Sequence, residues 1–81
     1  MRVRVLVFAR LRELFGFGER TIECAPGATL DDLWLTLAAQ NAEVQALRAS
    51  TRFARNGVLA TGTVALREGD EVAFLPPVGG G

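Results

Sequence analysis

Arg2-Val3-Arg4-Val5-Leu6-Val7-Phe8 alternates in side-chain character with a period of two. A β-strand sends successive side chains to opposite faces. Val3, Val5 and Val7 therefore share one face, and Arg2, Arg4, Leu6 and Phe8 share the other. If the valines pack against the rest of the fold, two arginines and two large apolar groups lie on an open sheet face. Ala9 to Phe15 then suits a helical turn closed by Gly16. A second strand begins at Gly18 or Glu19 and runs to Cys24, with Ile22 and Cys24 on one face and Thr21 and Glu23 on the other. Pro26-Gly27 punctuates it.

The next segment reads as the main helix. Thr29, followed at the third position by Asp32, makes a capping box with Asp in place of the usual Glu or Gln. Leu30, Leu33, Trp34, Leu37 and Ala38 follow the spacing of one buried stripe. Asp31 and Asp32 sit where acids favour the helix dipole, so they read as capping groups rather than an acid–base pair. Glu43 to Ala49 predicts a further short helix with Val44 and Leu47 inward. Arg52–Arg55 and Val58–Ala60 flank Asn56-Gly57, the signature of a two-residue hairpin of the primed type. Arg67-Glu68-Gly69-Asp70 is a turn, and Glu71 to Leu75 is the closing strand. There Val72 and Phe74 share one face, and Glu71, Ala73 and Leu75 share the other. The order predicts an α+β fold, one mixed sheet wrapped around one main helix. The expected division is a body over residues 1–75 and an extended tail over 76–81.

Composition bounds the function. Eighty-one residues with 49% apolar and 22% charged side chains describe one small folded domain. No apolar run approaches the ~20 residues of a membrane span, and the alternating N-terminus does not read as a signal peptide. Zero net charge offers no basic excess to nucleic acid. The chain has no His, Tyr or Lys, and one cysteine, Cys24. No ordinary zinc, haem or Cys-His site can be assembled from this set, so metal ligation is not expected. A single cysteine makes no internal disulfide, which fits a reducing cytoplasm. Strand parity places Cys24 inward and inert. The absence of lysine also leaves few amines for an activated acyl group to misreact with. No glycine-rich phosphate loop occurs. On this inventory the chain catalyses nothing alone.

The end of the sequence, Pro76-Pro77-Val78-Gly79-Gly80-Gly81, reads differently. Pro76 and Pro77 fix backbone φ and favour a stiff, extended exit. Val78 is small enough to plug an apolar pocket. Gly79 to Gly81 have no Cβ and form a thread thin enough for a narrow enzyme channel. The α-carboxylate of Gly81 is ionised at neutral pH, with a pKa near ~3.5, and is a nucleophile.

Taken together, Val7-Phe8-Ala9 with Arg12-Glu13-Leu14, Gly69-Asp70-Glu71-Val72-Ala73-Phe74, and Pro76-Pro77-Val78-x-Gly80-Gly81 resemble a known family. It is that of the small subunit of molybdopterin synthase, the MoaD-type sulfur carriers with a ubiquitin-like β-grasp fold. The resemblance covers the whole chain in length and order. Its C-terminal motif is highly specific, whereas the N-terminal one is weak alone. The chain departs from the family at Leu75, where an aromatic is frequent, and at Arg55-Asn56-Gly57, where Val-Asn-Gln is common.

The resemblance implies a two-step cycle at Gly81. A ubiquitin-activating-like adenylyltransferase uses ATP to adenylate the Gly81 carboxylate, and a sulfur donor converts the acyl adenylate to a thiocarboxylate. The tail then enters the large subunit of the synthase, where the sulfur builds the molybdopterin dithiolene from cyclic pyranopterin monophosphate. ATP belongs to the activating enzyme, and the chain itself binds no cofactor. The family further implies a heterotetramer with two large subunits, and partner contacts through Phe8, Arg12, Leu59 and Leu75. Three alternatives remain open at this point. They are a carrier for another product such as thiazole or thiolated tRNA, a ubiquitin-like protein modifier, and an inert β-grasp binding module.

Overall fold

The alternating N-terminal stretch becomes strand β1 (Arg2–Val7) in the computed structural model, which describes residues 1–76. Val3, Val5 and Val7 are buried while Arg2 and Arg4 stay exposed, as the period of two requires. Four further strands join β1: β2 (Glu19–Glu23), β3 (Arg52–Arg55), β4 (Val58–Ala60) and β5 (Glu71–Leu75). Their order across the sheet is β2-β1-β5-β3-β4. β1 and β5 run parallel, and every other pair is antiparallel. A parallel pair cannot be closed by a tight turn, so β2, the helices, β3 and β4 all lie between β1 and β5 along the chain. The helices are α1 (Ala9–Phe15), α2 (Leu30–Ala38) and α3 (Ala42–Ala46), followed by a 3₁₀ turn over Arg48–Ser50. This is a ubiquitin-like β-grasp, the fold expected from the sequence.

Helix α2 starts where its capping box says it should. Thr29 Oγ1 accepts from Asp32 N–H at 3.1 Å, and Asp32 Oδ2 accepts from Thr29 N–H at 2.9 Å. Leu30, Leu33, Trp34 and Ala38 are buried, and Leu37 packs partly buried against them. The helix meets the inner sheet face through aromatic rings. Trp34 lies edge-on to Phe74 with centroids 5.2 Å apart, and Phe53 is also 5.2 Å from Phe74. Phe15 of α1 closes the group, 5.8 Å from Trp34 and 6.0 Å from Phe74.

Local geometry departs from the sequence reading in three places. The second short helix is not one piece over Glu43–Ala49. α3 is capped by Asn41, whose Oδ1 accepts from Val44 N–H at 3.2 Å, and ends at Leu47 with φ −91° and ψ 0°. The chain then tightens into the 3₁₀ turn, with Val44 buried and Leu47 partly so. β2 stops at Glu23, although Cys24 N–H still donates to Met1 carbonyl at 2.7 Å. Cys24 packs partly buried against the core, and burial pushes its thiol pKa up. Finally, Phe8 lies beyond β1. It is extended, at φ −129° and ψ 159°, and the next residue, Ala9, takes φ +50°. This left-handed alanine costs ~1–2 kcal/mol. It turns the chain from strand into helix without a loop.

Candidate functional site

The side of the sheet turned away from α2 is the open face, and strand register says which residues share it. Leu6 is level with Ala73, Ala73 with Ala54, and Ala54 with Leu59. These four form an apolar band across β1, β5, β3 and β4. Alanines in the middle make a shallow floor between two leucines. One row nearer the exit of the chain, Leu75 lies opposite Arg52. Phe8 follows the last β1 pair, Val7–Phe74, with extended backbone, so continuing the register by one residue points it toward Leu75 on that strand's other side. Phe8 is 44% exposed and Leu59 60%, whereas Leu6, Ala73 and Leu75 are half-buried. Large apolar side chains left this open on one face suit a protein partner.

Charges border the band. Arg2 Nε donates to Glu23 Oε1 at 3.0 Å, and Arg4 pairs with Glu71 and stands 3.8 Å from Glu19. The hydrogen bond from Arg2 holds the Glu23 carboxyl below its ordinary pKa, and the Glu71 bond raises that of Arg4. All of these side chains are solvated, so the pairs contribute little to stability. Their effect is to neutralise the β1–β2 side of the face.

The far side is held by the hairpin between β3 and β4. Asn56 and Gly57 have φ of +51° and +82°, as a primed two-residue turn requires. The Asn56 side chain also staples the hairpin to the start of β5. Its Nδ2 donates to Asp70 Oδ1 at 2.9 Å, and its Oδ1 accepts from Glu71 N–H at 2.9 Å. Asp70, 7% exposed, also accepts from Arg67 N–H at 2.8 Å and lies 4.0 Å from Arg55 Nε. Burial pushes the Asp70 carboxyl up. The bonds from Asn56 and Arg67 N–H, with the charges of Arg55 and Arg67, outweigh burial and hold it below its ordinary value. This network sets where Leu59 stands on the face.

Of the residues expected to meet partners, the fold therefore brings Phe8 and Leu75 side by side at the root of the tail. Leu59 lies across the alanine floor. Arg12 is not on the sheet. It is exposed on α1, and its guanidinium leans against Gly18, so close that a Cβ there would stand 3.0 Å from Nε. Pro76 is half-buried directly after the end of β5, the central strand. Pro77, Val78, Gly79, Gly80 and Gly81 lie outside the described residues. Ala54 and Arg52 were not singled out by the sequence. Alternation alone does not tell that β3 lies beside β5. Among the described residues no group of acidic, His or Cys side chains could hold a metal ion, and no helix is long and apolar enough to cross a membrane.

Fold and face together define a β-grasp domain that presents an apolar sheet surface beside a glycine-ended tail. Comparison with known proteins gives the family: residues 5–81 match the ThiS family, and the chain belongs to it. The chain is 37% identical to a molybdopterin synthase sulfur carrier subunit of Chlamydomonas reinhardtii over the full length of both. It is 30% identical to one of Arabidopsis thaliana, covering all of this chain and 84% of that one. Among solved structures, a putative molybdopterin converting factor subunit 1 from Pyrococcus furiosus superposes with a TM-score of 0.84. It is 30% identical over 96% of this chain and 99% of that one. Small archaeal modifier protein 1 of Haloferax volcanii superposes at 0.77 with 26% identity, over 95% and 98%. A chain from a complex of molybdopterin-converting factor subunits 1 and 2 from Helicobacter pylori has the same fold, at 0.70 and 24% over the full length of both.

Proposed function

We propose that this chain is the sulfur-carrying small subunit of a molybdopterin synthase. The observation that carries the reading is full-length similarity to curated sulfur carriers, joined to an exposed apolar face at the root of a Pro-Pro-Val-Gly-Gly-Gly ending. Phe8, Leu59 and Leu75 dock the carrier on its partners, and Arg12, on α1 and off the sheet, offers them a further charge.

The chemistry then belongs to Gly81. A carboxylate oxygen is a poor leaving group, so it must be activated before sulfur can replace it. In the activating enzyme, Gly81 attacks the α-phosphorus of ATP, pyrophosphate leaves, and an acyl adenylate forms. Sulfur from a donor displaces AMP and leaves a thiocarboxylate. In the large subunit that sulfur passes to cyclic pyranopterin monophosphate. A dithiolene holds two sulfurs, so two charged tails are consumed for each product, in keeping with a heterotetramer of two carriers and two large subunits. From Leu75 the six tail residues reach at most ~20 Å, enough to place the reacting atom well inside a partner while the body stays outside. The acid–base groups for each step come from those partners.

The test is intact mass spectrometry after incubation with ATP, a sulfur source and the activating enzyme, beside a chain lacking Gly81. A gain equal to one oxygen replaced by one sulfur, seen only with Gly81 present, supports a sulfur carrier. Molybdopterin formation after adding the large subunit and cyclic pyranopterin monophosphate supports this pathway. Conjugates at higher mass would instead favour a protein modifier, and no change with a demonstrably active enzyme would refute the reading.

A further inference from the structure

The open face is neutralised on one side only. Arg2 and Arg4, on the β1 side, are matched by Glu23, Glu19 and Glu71. On the β3 side Arg52 is exposed, lies opposite Leu75, and has no carboxylate within 4.0 Å among the described residues. Its guanidinium also makes no side-chain hydrogen bond there, in contrast to its neighbour Arg48. Arg48 donates to Asp31 Oδ1 at 2.9 Å and to Thr51 carbonyl at 3.2 Å, and its guanidinium lies 4.0 Å over the Phe53 ring. Arg52 and Leu59 both border a groove that Arg48, Thr51, Phe53 and Thr61 also line, where β3 begins and β4 ends. One guanidinium without such a partner among the described residues thus stands opposite Leu75, at the root of the tail, and borders the same groove as Leu59.

We propose that Arg52 is a specificity-determining residue of the docking face, pairing with a carboxylate on the synthase large subunit whose neighbouring apolar side chain enters the groove beside Leu59. The inference rests on the function proposed above and names part of the partner surface it requires. A planar guanidinium beside apolar surface is suited to grip a carboxylate through two parallel hydrogen bonds. The site lies at the base of a tail that can extend up to ~20 Å, so a partner holding Arg52 can still receive the reacting carboxylate at a separate site, and Arg52 sorts partners rather than taking part in chemistry. A charge at the rim of an interface acts chiefly on association rate and its salt dependence.

The experiment measures association and dissociation of the full-length carrier with its own large subunit at several salt concentrations. It compares the unaltered chain with Arg52→Lys, Arg52→Ala and Arg52→Glu, each checked for an unchanged thermal transition. Arg52→Ala is expected to weaken binding roughly tenfold, and Arg52→Glu on the order of a hundredfold, mostly through slower association. Arg52→Lys is expected to keep most of the salt dependence but bind several-fold more weakly than the unaltered chain, because an ammonium cannot form the two parallel bonds. Added salt should weaken the unaltered pair and leave Arg52→Glu nearly unaffected or improved. Equal affinity and equal salt dependence for the unaltered chain and Arg52→Glu would overturn the assignment while leaving the carrier function standing. Failure of the unaltered chain to bind the large subunit would overturn both.

Discussion

Replacing Asn56 with glycine removes the staple between the hairpin and β5 while keeping the positive φ that the turn needs. Two hydrogen bonds are lost. The one to the Asp70 carboxylate is partly buried and charge-assisted, contributing ~2 kcal/mol, and leaves an almost buried anion short of a donor. The one from Glu71 N–H is exposed, so water replaces it, and its loss costs ~0.5 kcal/mol. Relief of the left-handed asparagine and the added freedom of glycine in the unfolded chain oppose each other at ~1 kcal/mol each. The expected destabilisation is about 2.5 kcal/mol. In a domain of this size that lowers Tm by ~10–20 °C. Calorimetric or circular-dichroism melts measure it directly. A second arm uses pH. The Asp70 carboxyl is held below its ordinary value of 3.8 in the folded chain. Its contribution is therefore complete above that value and fades as pH falls below it toward the folded pKa. Asp70→Asn should be less stable at neutral pH and should lose that part of the acid dependence. A Tm drop under ~3 °C for Asn56→Gly, or parallel acid profiles for Asp70→Asn and the unaltered chain, would refute the network as described.

Three further outcomes are expected. Gly80→Ala or Gly81→Ala should melt with the unaltered chain yet lose thiocarboxylate formation or sulfur transfer, and normal synthase activity from either variant removes the steric argument for the thread. Leu59→Asp changes a side chain that is 60% exposed, so stability should move by less than ~0.5 kcal/mol while affinity for the large subunit falls at least tenfold in titration calorimetry. A methyl group on Gly62 would stand 2.1–2.3 Å from the Asp31 carboxylate atoms, so Gly62→Ala must displace Asp31 from Arg48. That pair is half-solvated, so the loss should be about 1 kcal/mol in denaturant unfolding, and an unchanged midpoint would show that Asp31 swings aside freely.

How much of this was legible depended on whether the physics was local. The alternation in Arg2–Val7, the capping box at Thr29 and the Asn56-Gly57 turn each rest on a few neighbouring residues, and each appears as read. The role of Asp31 was not local. The sequence places it beside Asp32 at a helix start, but in the fold Asp32 caps while Asp31 reaches Arg48, 17 residues away. Glu43–Ala49 divides into a helix that Asn41 caps one residue earlier than the apolar pattern suggests and a 3₁₀ turn that begins after Leu47. The candidate face shows the same division. Strand parity placed Leu6, Phe8 and Leu75 outward, but the pairing of β5 between β1 and β3 joins them to Ala54, Leu59 and Arg52. No periodicity encodes that order. Arg12 is a further non-local case: the family resemblance names it as a partner contact, and the fold places it on α1 with its guanidinium against Gly18.

The distribution of chemistry in the chain also explains why its body is built as it is. A carrier that passes its end between enzymes needs a surface each partner can grip and a reacting group none of its own side chains can intercept. The polar groups described here are spent on structure: Asp32 on a cap, Asp70 on the hairpin staple, Arg48 on a strap across Phe53. Lysine and histidine, the usual amine nucleophile and the usual general base, are absent from the sequence. On the open face, what remains uncommitted among the described residues is the apolar row of Phe8, Leu75 and Leu59, and Arg52 beside it. A rigid, chemically quiet body with one exposed face fixes the origin of the tail, so a partner that holds the face also fixes how deep the last glycine can reach. Substitutions in that face should therefore alter binding to partners and leave the intrinsic reactivity of a preformed thiocarboxylate toward a small-molecule alkylating agent unchanged. Tail substitutions at Gly80 or Gly81 should also leave that alkylation rate nearly unchanged while blocking activation or transfer inside a partner, and a face variant that changed the alkylation rate would show that the two parts are not separable.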